Sequence, residues 1–362
     1  MSLSEITVTV KEYSEADSGR WDDYVLKTRE ATFCHLSGWI RVVCNTWGHR
    51  SFCIYAERGG EITGVLPLFL VKGGIPGLFY GSMLVSSPNA VYGGVLGDDQ
   101  ATYQALIHRA REIAIERKVD YLELRQTAEA SFNYDDAMSD TVDLYVTFES
   151  GIAEDDDDRM RGYPGDVRRM IRIGMAAGLY AVRGGEELLD EFYEVYARSV
   201  RNLGTPVFPK RLFLEFLRAF PESCDILAVR QARGSGGRLA GAVMSFYFRD
   251  CVMPYYAGAY PEFHRAGINN FMYSELMRLS AGRGFTRFDF GRSKKGTGSY
   301  RFKRGWKMNE KQLNYRCFHF GGGKAPEINP LNPKFRIFIE AWKRLPLSLT
   351  KLIGPRIVKY LP

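Results

Sequence analysis

The chain has 362 residues, of which 45% are hydrophobic, 14% aromatic and 25% charged, and its formal net charge is +7. This length suits two domains of ordinary size, and the abundance of apolar and aromatic residues excludes a disordered chain. No stretch approaches the roughly 18 uncharged apolar residues of a membrane-spanning helix. The start of the chain lacks the basic flank, apolar block and cleavage site of a signal peptide, so we expect a cytoplasmic protein.

The predicted elements form an internal repeat, in which one α/β unit is used twice. In the first copy, residues 52–71 have the pattern of strand, turn and strand, and residues 89–96 that of a third strand. Residues 102–125 follow with a helical spacing of apolar side chains and then a closing strand that carries Glu123.

The second copy follows a connector. The acidic segment 154–159 is expected to be a solvated linker rather than a metal site, because adjacent carboxylates cannot all face one ion. Next come three predicted helices and then the repeated elements, in which Asp289 takes the position of Glu123. These segments are helices at 166–178, 186–203 and 210–220, a strand pair at 225–248, a strand at 253–260, and a helix with a closing strand at 269–291.

The charge is divided unevenly between the two copies. Residues 1–158 hold 13 Lys and Arg against 26 Asp and Glu, whereas residues 159–362 hold 36 against 16. A basic half favours a polyanionic partner such as a phosphate-bearing cofactor, RNA or anionic lipid, although solvated surface charge would give the same count. We predict domains at 1–158 and 159–325, followed by an amphipathic basic tail at 326–362.

The densest candidate site is the segment 289–310. It holds seven Lys or Arg residues with no acid between its two ends, and four glycines that allow close approach of a ligand. We predict a basic catalytic hairpin, for which an exposed basic hairpin without a ligand is the alternative. The candidate side chains for binding and stacking are Arg292, Lys294, Tyr300 and Trp306.

A second candidate site is the loop and helix start at 261–273. His264 and Arg265 precede a helix whose first N–H groups and positive dipole end suit a phosphate or a developing oxyanion. Ordinary capping of this helix by Asn269 or Asn270 is the alternative.

Two copies of this unit, with a phosphate-type loop before the second helix, resemble the acyl-CoA N-acyltransferase (GNAT) superfamily. The pyrophosphate loop of that family, Q/R-x-x-G-x-G/A, aligns with His264, Gly267 and Asn269. The chain is more similar to the Fem-type branch, which has two such domains. The matching segments are Arg169-Met-Ile-Arg172, Asn270-x-x-Tyr273, Asp289-Phe290-Gly291 and Phe302-Lys303-x-x-Trp306, and Lys307 stands where that branch usually has a glycine.

Three further segments resemble the FemAB-related group associated with exosortase and exopolysaccharide systems. They are Trp47-Gly-His-Arg50, Leu203-Gly-Thr-Pro206 and Asp289-Phe-Gly-Arg-Ser-Lys294. The resemblance implies an α/β (α+β) fold of tandem GNAT-like domains, each a mixed, mainly antiparallel sheet flanked by helices. The resemblance to the Fem-type branch implies transfer of an aminoacyl group from charged tRNA to the peptide of a lipid-linked cell-wall precursor.

The expected chemistry requires an amine to lose a proton and a carbonyl oxygen to gain negative charge. The resemblance places Lys303 at the acyl donor, where it would stabilise that charge. Asp289 is the candidate for orienting or deprotonating the amine, unless it is a buried acid paired with a base. Tyr300 and Tyr256 are weaker proton-relay candidates.

Arg169 and Arg172 share a helix face at i, i+3 spacing, where they hold phosphate or are solvated. The tail mixes aromatic and aliphatic side chains with Lys and Arg, which is typical of a helix on an anionic membrane or of one packed on the second domain. The cysteines show no zinc-type spacing, and no metal is expected.

We therefore expect an acyl or aminoacyl transferase that modifies an amine acceptor, envelope-derived or lipid-linked, in cell-envelope or exopolysaccharide biosynthesis. Its donor is charged tRNA or acyl-CoA. The first domain, which lacks a counterpart of the basic segment, supports the second or binds the acceptor. The alternatives are an acetyl-CoA-dependent N-acetyltransferase and a non-catalytic RNA-binding or membrane-docked assembly protein.

Overall fold

The computed structural model describes residues 7–73, 81–127, 139–142, 144–232, 237–320 and 333–360, with only the backbone described for 139–141 and 333–336. The chain divides into two compact units. The first comprises Met1–Asp143, Gln312–Glu327 and Lys359–Pro362, and the second Leu144–Lys311 and Ile328–Val358. None of the described helices is long and apolar enough to cross a membrane.

The elements alternate between strands and helices along both units. The strands are β1 (Thr9–Glu12), β2 (Arg50–Ser51), β3 (Ile54–Arg58), β4 (Glu61–Leu66), β5 (Phe69–Lys72), β6 (Ser82–Val85), β7 (Leu96–Gly97), β8 (Tyr121–Gln126), β9 (Ser139–Val142), β10 (Tyr145–Gly151), β11 (Leu179–Gly184), β12 (Cys224–Gln231), β13 (Arg238–Phe248), β14 (Cys251–Ala259), β15 (Arg287–Asp289), β16 (Ser293–Lys294), β17 (Asn309–Gln312) and β18 (Asn314–His319). The helices are α1 (Ser18–Lys27), α2 (Ser37–Trp47), α3 (Gln100–Glu116), α4 (Asp156–Gly162), α5 (Gly165–Ala176), α6 (Leu189–Leu203), α7 (Lys210–Ala219), α8 (Ile268–Ala281), α9 (Gly298–Arg304), α10 (Pro333–Arg344) and α11 (Leu347–Val358).

The second unit is built on an eight-stranded sheet in the order β11-β12-β13-β14-β15-β10-β16, with β17 also paired to β10. Side chains of successive strand residues point to opposite faces. On β13, Phe246 contacts Phe216 of α7, whereas its neighbour Tyr247 contacts Phe285, which packs on the α5 and α8 core. The helices therefore cover the sheet on both sides.

The first unit contains a four-stranded sheet, β1-β3-β4-β7, and a six-stranded sheet, β2-β5-β6-β8-β18-β9. Its core forms where the apolar face of α3 packs on strand side chains. Leu106, Ala110 and Ile113 of the helix lie in one buried cluster with Leu122 and Phe318. The 3.6-residue spacing of these helical positions places them on a single face.

The predicted repeat is confirmed by strand direction. In each unit the long helix lies in the chain between two strands that pair in parallel, α3 between β6 and β8, with β7 also intervening, and α8 between β14 and β15. Most of the other pairs are antiparallel, as in β12 with β13. The predicted fold class, tandem α/β domains with mixed and mainly antiparallel sheets, is therefore correct.

The compact units differ from the predicted ranges 1–158 and 159–325 because each half of the sequence supplies a strand to the other unit. Strand β10 ends the first half of the sequence but pairs with β15 in the second unit. Strand β18 comes after the second unit's last strand but pairs with β8 in the first. The local periodicity of apolar residues does not predict which distant strands pair with each other.

Three predicted segments have a different local structure. Residues 89–96 form no continuous strand, because Asn89 and Gly93 have positive φ angles of 60° and 127° that interrupt extended backbone. The acidic segment 154–159 enters α4, with Asp155 as its N-cap. The basic segment 289–310 is not a hairpin, because its centre folds into helix α9.

The described part of the tail packs on the second unit. Arg201 of α6 donates a hydrogen bond of 3.0 Å to the Lys343 carbonyl of α10, and Lys351 of α11 forms an ion pair with Glu194 of α6. A Cβ built on Gly354 would lie 2.6 Å from the Val207 carbonyl oxygen, so α11 approaches the backbone closely.

Candidate active site

Asp289 ends strand β15 and is anchored by hydrogen bonds from two neighbouring segments of the chain. One of its carboxylate oxygens accepts hydrogen bonds from the Thr147 hydroxyl of β10 and from the Gly291 N–H, the latter at 2.8 Å. The side chain is only 4% exposed. These bonds fix the carboxylate at the end of the sheet, as predicted from the sequence for a residue closing a central strand.

Glu149, which the sequence analysis missed, lies directly opposite Asp289 in the β10–β15 register. Its carboxylate forms an ion pair of 2.7 Å with Lys311. Burial, followed by the nearby charge of Asp289, raises the pKa of Glu149, while Lys311 and Arg287 oppose this shift. The sequence signal was the alternation in Tyr145 to Glu149, where polar residues occupy every second position.

Lys303 projects from α9 beneath the chain that follows Asp289. Its ammonium group donates hydrogen bonds to the carbonyl oxygens of Phe290, Gly291 and Arg292, at 2.7, 2.9 and 3.2 Å. Burial lowers the pKa of Lys303 to about 8, although Asp289 acts in the opposite direction. The helix begins at Thr297, whose hydroxyl accepts a hydrogen bond from the Tyr300 N–H.

An aromatic group surrounds this chain segment. The ring centroid of Phe290 lies 5.0 Å from that of Tyr273 in α8 and 5.6 Å from that of Trp306. Phe302 contacts both Tyr273 and Trp306. Burial raises the pKa of Tyr273 to about 12, so its hydroxyl is protonated at neutral pH. Tyr273 and Trp306 therefore line the same region as Lys303.

Two basic residues extend the site along β16. Lys294 pairs with Tyr145 in the β10–β16 register, and the guanidinium carbon of Arg292 lies 4.9 Å from the centroid of the Tyr145 ring. Both basic side chains are partly exposed. The predicted residues Arg292 and Lys294 therefore belong to the same sheet edge as Asp289.

The two weaker tyrosine candidates are placed apart from this group. The Tyr300 hydroxyl donates to the Glu310 carboxylate at 3.1 Å, and its ring contacts Phe148. Tyr256 packs among aromatic rings of the α6 and α7 side, including Tyr196 and Phe213. Its contacts are therefore those of a core residue, which argues against the predicted role in proton relay.

The second predicted site forms the turn before α8. His264 and Arg265 are exposed on a short 3-10 turn, and the helix N-cap is Gly267, with φ +74° and no side-chain cap. Neither Asn269 nor Asn270 occupies the N-cap position; both lie half-buried in the first turn. Capping by either asparagine, the alternative considered from the sequence, is therefore wrong.

Helix α5 lies beside this turn. A Cβ built on Gly267 would overlap the carbonyl oxygen of Met170, so the two backbones are in close contact. Arg169 and Arg172, on either side of Met170 in the sequence, are both exposed. They are thus available to an anion at this edge of the unit.

The matching position of the first unit has a different character. Glu123 on β8 is paired at 2.7 Å with the buried Arg125 and faces Cys317 across β18, rather than a second carboxylate. Arg125 also donates to the carbonyls of Ser87 and Ala90. In the part of the chain that the structure describes, no second carboxylate therefore stands opposite Glu123 as Glu149 does opposite Asp289. Among the described residues, no group of three or more His, Cys, Asp and Glu side chains could hold a metal ion.

Comparison with known proteins identifies the segment that carries this site. Residues 163–304 match the family model of the acetyltransferase (GNAT) domain. This segment of the chain is therefore similar to a GNAT acetyltransferase domain. It spans α5, α8 and α9, and so contains Asp289 and Lys303. No curated protein matches the chain significantly.

The fold of the whole chain is similar to that of several solved tandem proteins. FemX aligns with a TM-score of 0.69 and 14% identity over 91% of this chain and 100% of its own. The C-terminal domain of a putative lysylphosphatidylglycerol synthetase from Agrobacterium fabrum aligns with 0.57 and 13% over 84% and 92%. A tandem GNAT protein from the clavulanic acid biosynthesis pathway aligns with 0.50 and 12% over 88% and 100%. The predicted FemAB-like, tandem GNAT fold is thus confirmed.

Proposed function

We propose that this protein transfers an acyl or aminoacyl group to an amine acceptor used in the cell envelope, and that the transfer takes place beside Asp289 and Lys303. The observation that carries the proposal is the position of these two residues, with Glu149, at one sheet edge of the GNAT domain. The donor is an activated ester or thioester, because amide formation needs a leaving group.

The proposed step begins with attack of the acceptor nitrogen on the acyl carbonyl carbon. A carbon–nitrogen bond forms, and the carbon–oxygen bond to a tRNA ribose, or the carbon–sulfur bond to coenzyme A, breaks. The proton lost by the amine passes to the Glu149 carboxylate, and the leaving oxygen or sulfur takes up a proton. Burial and the nearby charge of Asp289 raise the pKa of Glu149, which makes its carboxylate a stronger base.

Asp289 has a different role in this scheme. One carboxylate oxygen of Asp289 already accepts hydrogen bonds from Thr147 and Gly291, so the carboxylate is held in place. Its negative charge attracts the cationic acceptor, and it does not itself accept the proton. Two carboxylates in unequal surroundings commonly divide the acid–base and electrostatic roles in this way.

Lys303 supplies positive charge at the acyl carbonyl. Its hydrogen bond to the Arg292 carbonyl is the longest of three at 3.2 Å, and we propose that the developing oxyanion replaces this one. The two shorter bonds, to Phe290 and Gly291, keep the ammonium aligned. Tyr273, Arg292 and Lys294 bind the donor around it, whereas the predicted donor contact Trp306 is only 3% exposed and packs in the core.

The choice of an aminoacyl donor draws on the structural neighbours. FemX shares the fold of nearly the whole chain, and the name of the Agrobacterium fabrum protein describes a lysyl group on phosphatidylglycerol. The basic excess of residues 159–362 also suits the phosphates of a charged tRNA. In the first unit Glu123 faces Cys317, whereas in the second unit Asp289 faces Glu149. The first unit would therefore hold the acceptor or support the second unit.

A specific observation favours acyl-CoA as the second candidate donor. The first turn of α8 has no side-chain cap, and His264 and Arg265 precede it. Uncapped N–H groups at a helix start suit a pyrophosphate. Under this alternative, His264→Ala with Arg265→Ala abolishes coenzyme A binding, whereas binding of charged tRNA by the wild type would count against it.

The direct test is a transfer assay with purified protein, labelled aminoacyl-tRNA or acyl-CoA, and a panel of amine acceptors. We expect one donor class to give a stable amide, with product formation lost in Lys303→Ala. The matched control is Lys295→Ala, which removes one charge from the same segment. If both variants lose tRNA binding equally and no amide forms with any donor, the protein binds without catalysis.

The acceptor is best sought in cells. Mass spectrometry of envelope glycans and lipid-linked precursors, with and without the protein, should show loss of one defined acyl or aminoacyl mass. If this mass is lost only from the exopolysaccharide fraction, the acceptor is an exopolysaccharide or its precursor. Identical spectra in both strains would contradict an envelope role.

A further inference from the structure

The second unit exposes an unusual group of large apolar side chains at its tail. Leu203 at the end of α6 is 70% exposed, Ile337 and Phe338 of α10 are 78% and 64% exposed, and Leu352 of α11 is 59% exposed. Burying such side chains is favourable, so their exposure together indicates a surface that is covered in use. We call Ile337, Phe338 and Leu352, with Arg344 and Arg356, the tail face.

The elements that carry the tail face are neighbours. A Cβ built on Gly204 would overlap the side chain of Ile339, which places the end of α6 against α10. The backbone of Gly354 in α11 lies against Val207, shortly after the end of α6. Ile339 and Gly354 therefore mark the sides of α10 and α11 that pack toward α6, and the exposed Ile337 and Leu352 lie on the other side of each helix.

Each tail helix combines an exposed apolar side chain with an exposed arginine on the same face. Ile337 and Arg344 are seven residues apart, and Leu352 and Arg356 are four apart, which are spacings that align on a helix. Residues 333–358 contain six Lys or Arg and one acid, Glu340, which pairs with Lys343 at 2.7 Å. The face is therefore both apolar and positively charged.

We propose that the tail face binds the surface of an anionic lipid bilayer, a function separate from the proposed transfer. Ile337, Phe338 and Leu352 insert at the boundary between head groups and acyl chains, and the two arginines contact lipid phosphates. A second copy of this chain fits less well, because two such basic faces repel each other.

The test is sedimentation of the full-length protein with vesicles of phosphatidylcholine alone or with phosphatidylglycerol added. Wild type is expected to bind the anionic vesicles and to be released by high salt. Ile337→Ser with Phe338→Ser should weaken this binding at least about ten-fold, because two inserted side chains are lost. Arg344→Gln and Arg356→Gln should each weaken it about five-fold.

The matched control is Ile115→Ser in α3, which changes an equally exposed side chain, 63% exposed, on the other unit. It should leave vesicle binding unchanged. Equal binding to neutral and anionic vesicles, or equal loss in the control, overturns the proposal. Self-association in sedimentation velocity without lipid, abolished by the Ile337 and Phe338 changes, would assign the face to a second copy instead.

Discussion

Glu149 and Asp289 stand directly opposite each other on antiparallel strands β10 and β15, although one comes from each half of the sequence. Asp289 is buried and anchored by hydrogen bonds, whereas Glu149 is partly exposed and paired with Lys311. Burial, and then the nearby charge of Asp289, raises the pKa of Glu149. The two carboxylates therefore have unequal surroundings, as in sites that divide acid–base and electrostatic roles.

Glu149→Gln should lower the rate constant of transfer to an amine by about 100-fold or more, because the variant cannot accept the amine proton. In wild type the active form is the carboxylate, so activity falls as the pH falls through the raised pKa. The variant should lose this acid limb. A pH series of kcat/KM measures both effects.

Hydroxylamine is a nucleophile that is already neutral near pH 7. Its reaction therefore distinguishes a role of Glu149 as a base from a purely structural role. It should react with Glu149→Gln at nearly the wild-type rate. Lys311→Met provides a second check, because Lys311 lowers the pKa of Glu149 and its removal should move the acid limb to higher pH. Equal loss with both nucleophiles would contradict the role of base.

Lys303 should produce the opposite, alkaline limb. Its charged form stabilises the acyl oxygen in our proposal, and its pKa is about 8, so activity should fall as the pH rises through that value. Lys303→Arg should remove this limb, because arginine stays protonated, while lowering kcat, because a planar guanidinium cannot reproduce three carbonyl contacts. An unchanged alkaline limb in Lys303→Arg would assign it to another group.

Gly267→Ala should destabilise the second unit by about 2–4 kcal/mol. The residue has φ +74°, and the new Cβ would overlap the Met170 carbonyl, so conformational strain and overpacking add. Gly296→Ala is the matched control, since φ is +81° there but no atom lies within 4 Å. It should cost only about 1 kcal/mol in urea unfolding. Equal costs would show that the approach of α5 to this turn carries no strain.

Lys307→Gly should stabilise the second unit by about 0.5–1 kcal/mol, because an exposed lysine there adopts a left-handed φ of 54° that glycine accepts without strain. The gain is partly offset by the greater freedom of glycine in the unfolded chain. Arg304→Gly, which removes the same charge from α9, should instead destabilise by about 1 kcal/mol. Thermal unfolding of the two variants should therefore shift in opposite directions.

Much of the site could be predicted locally. Asp289, Arg292, Lys294, Lys303 and Trp306 lie within one short segment, so a composition bias was enough to find them. The sequence predicted a proton-relay role for Tyr256, whereas the structure packs it among aromatic rings. Successive residues of its strand point to opposite faces, and a bulge between Met244 and Ser245 of the neighbouring strand shifts the register there. Glu149 could not be assigned to this site from its own neighbourhood, because only pairing of β10 with β15 brings it to Asp289.

By itself, the sequence determined the repeated α/β unit, with helices α3 and α5 to α8 and strands β3, β4, β8 and β12 to β15, since these depend on periodic apolar positions and local turn residues. It also determined where positive charge gathers. The tertiary structure alone decided which strand completes which sheet, and so which carboxylate faces Asp289, because hydrogen-bonded register links residues distant in the chain. It also decided that the 289–310 segment holds a helix, where Thr297 caps α9 and Lys303 satisfies three carbonyls at once.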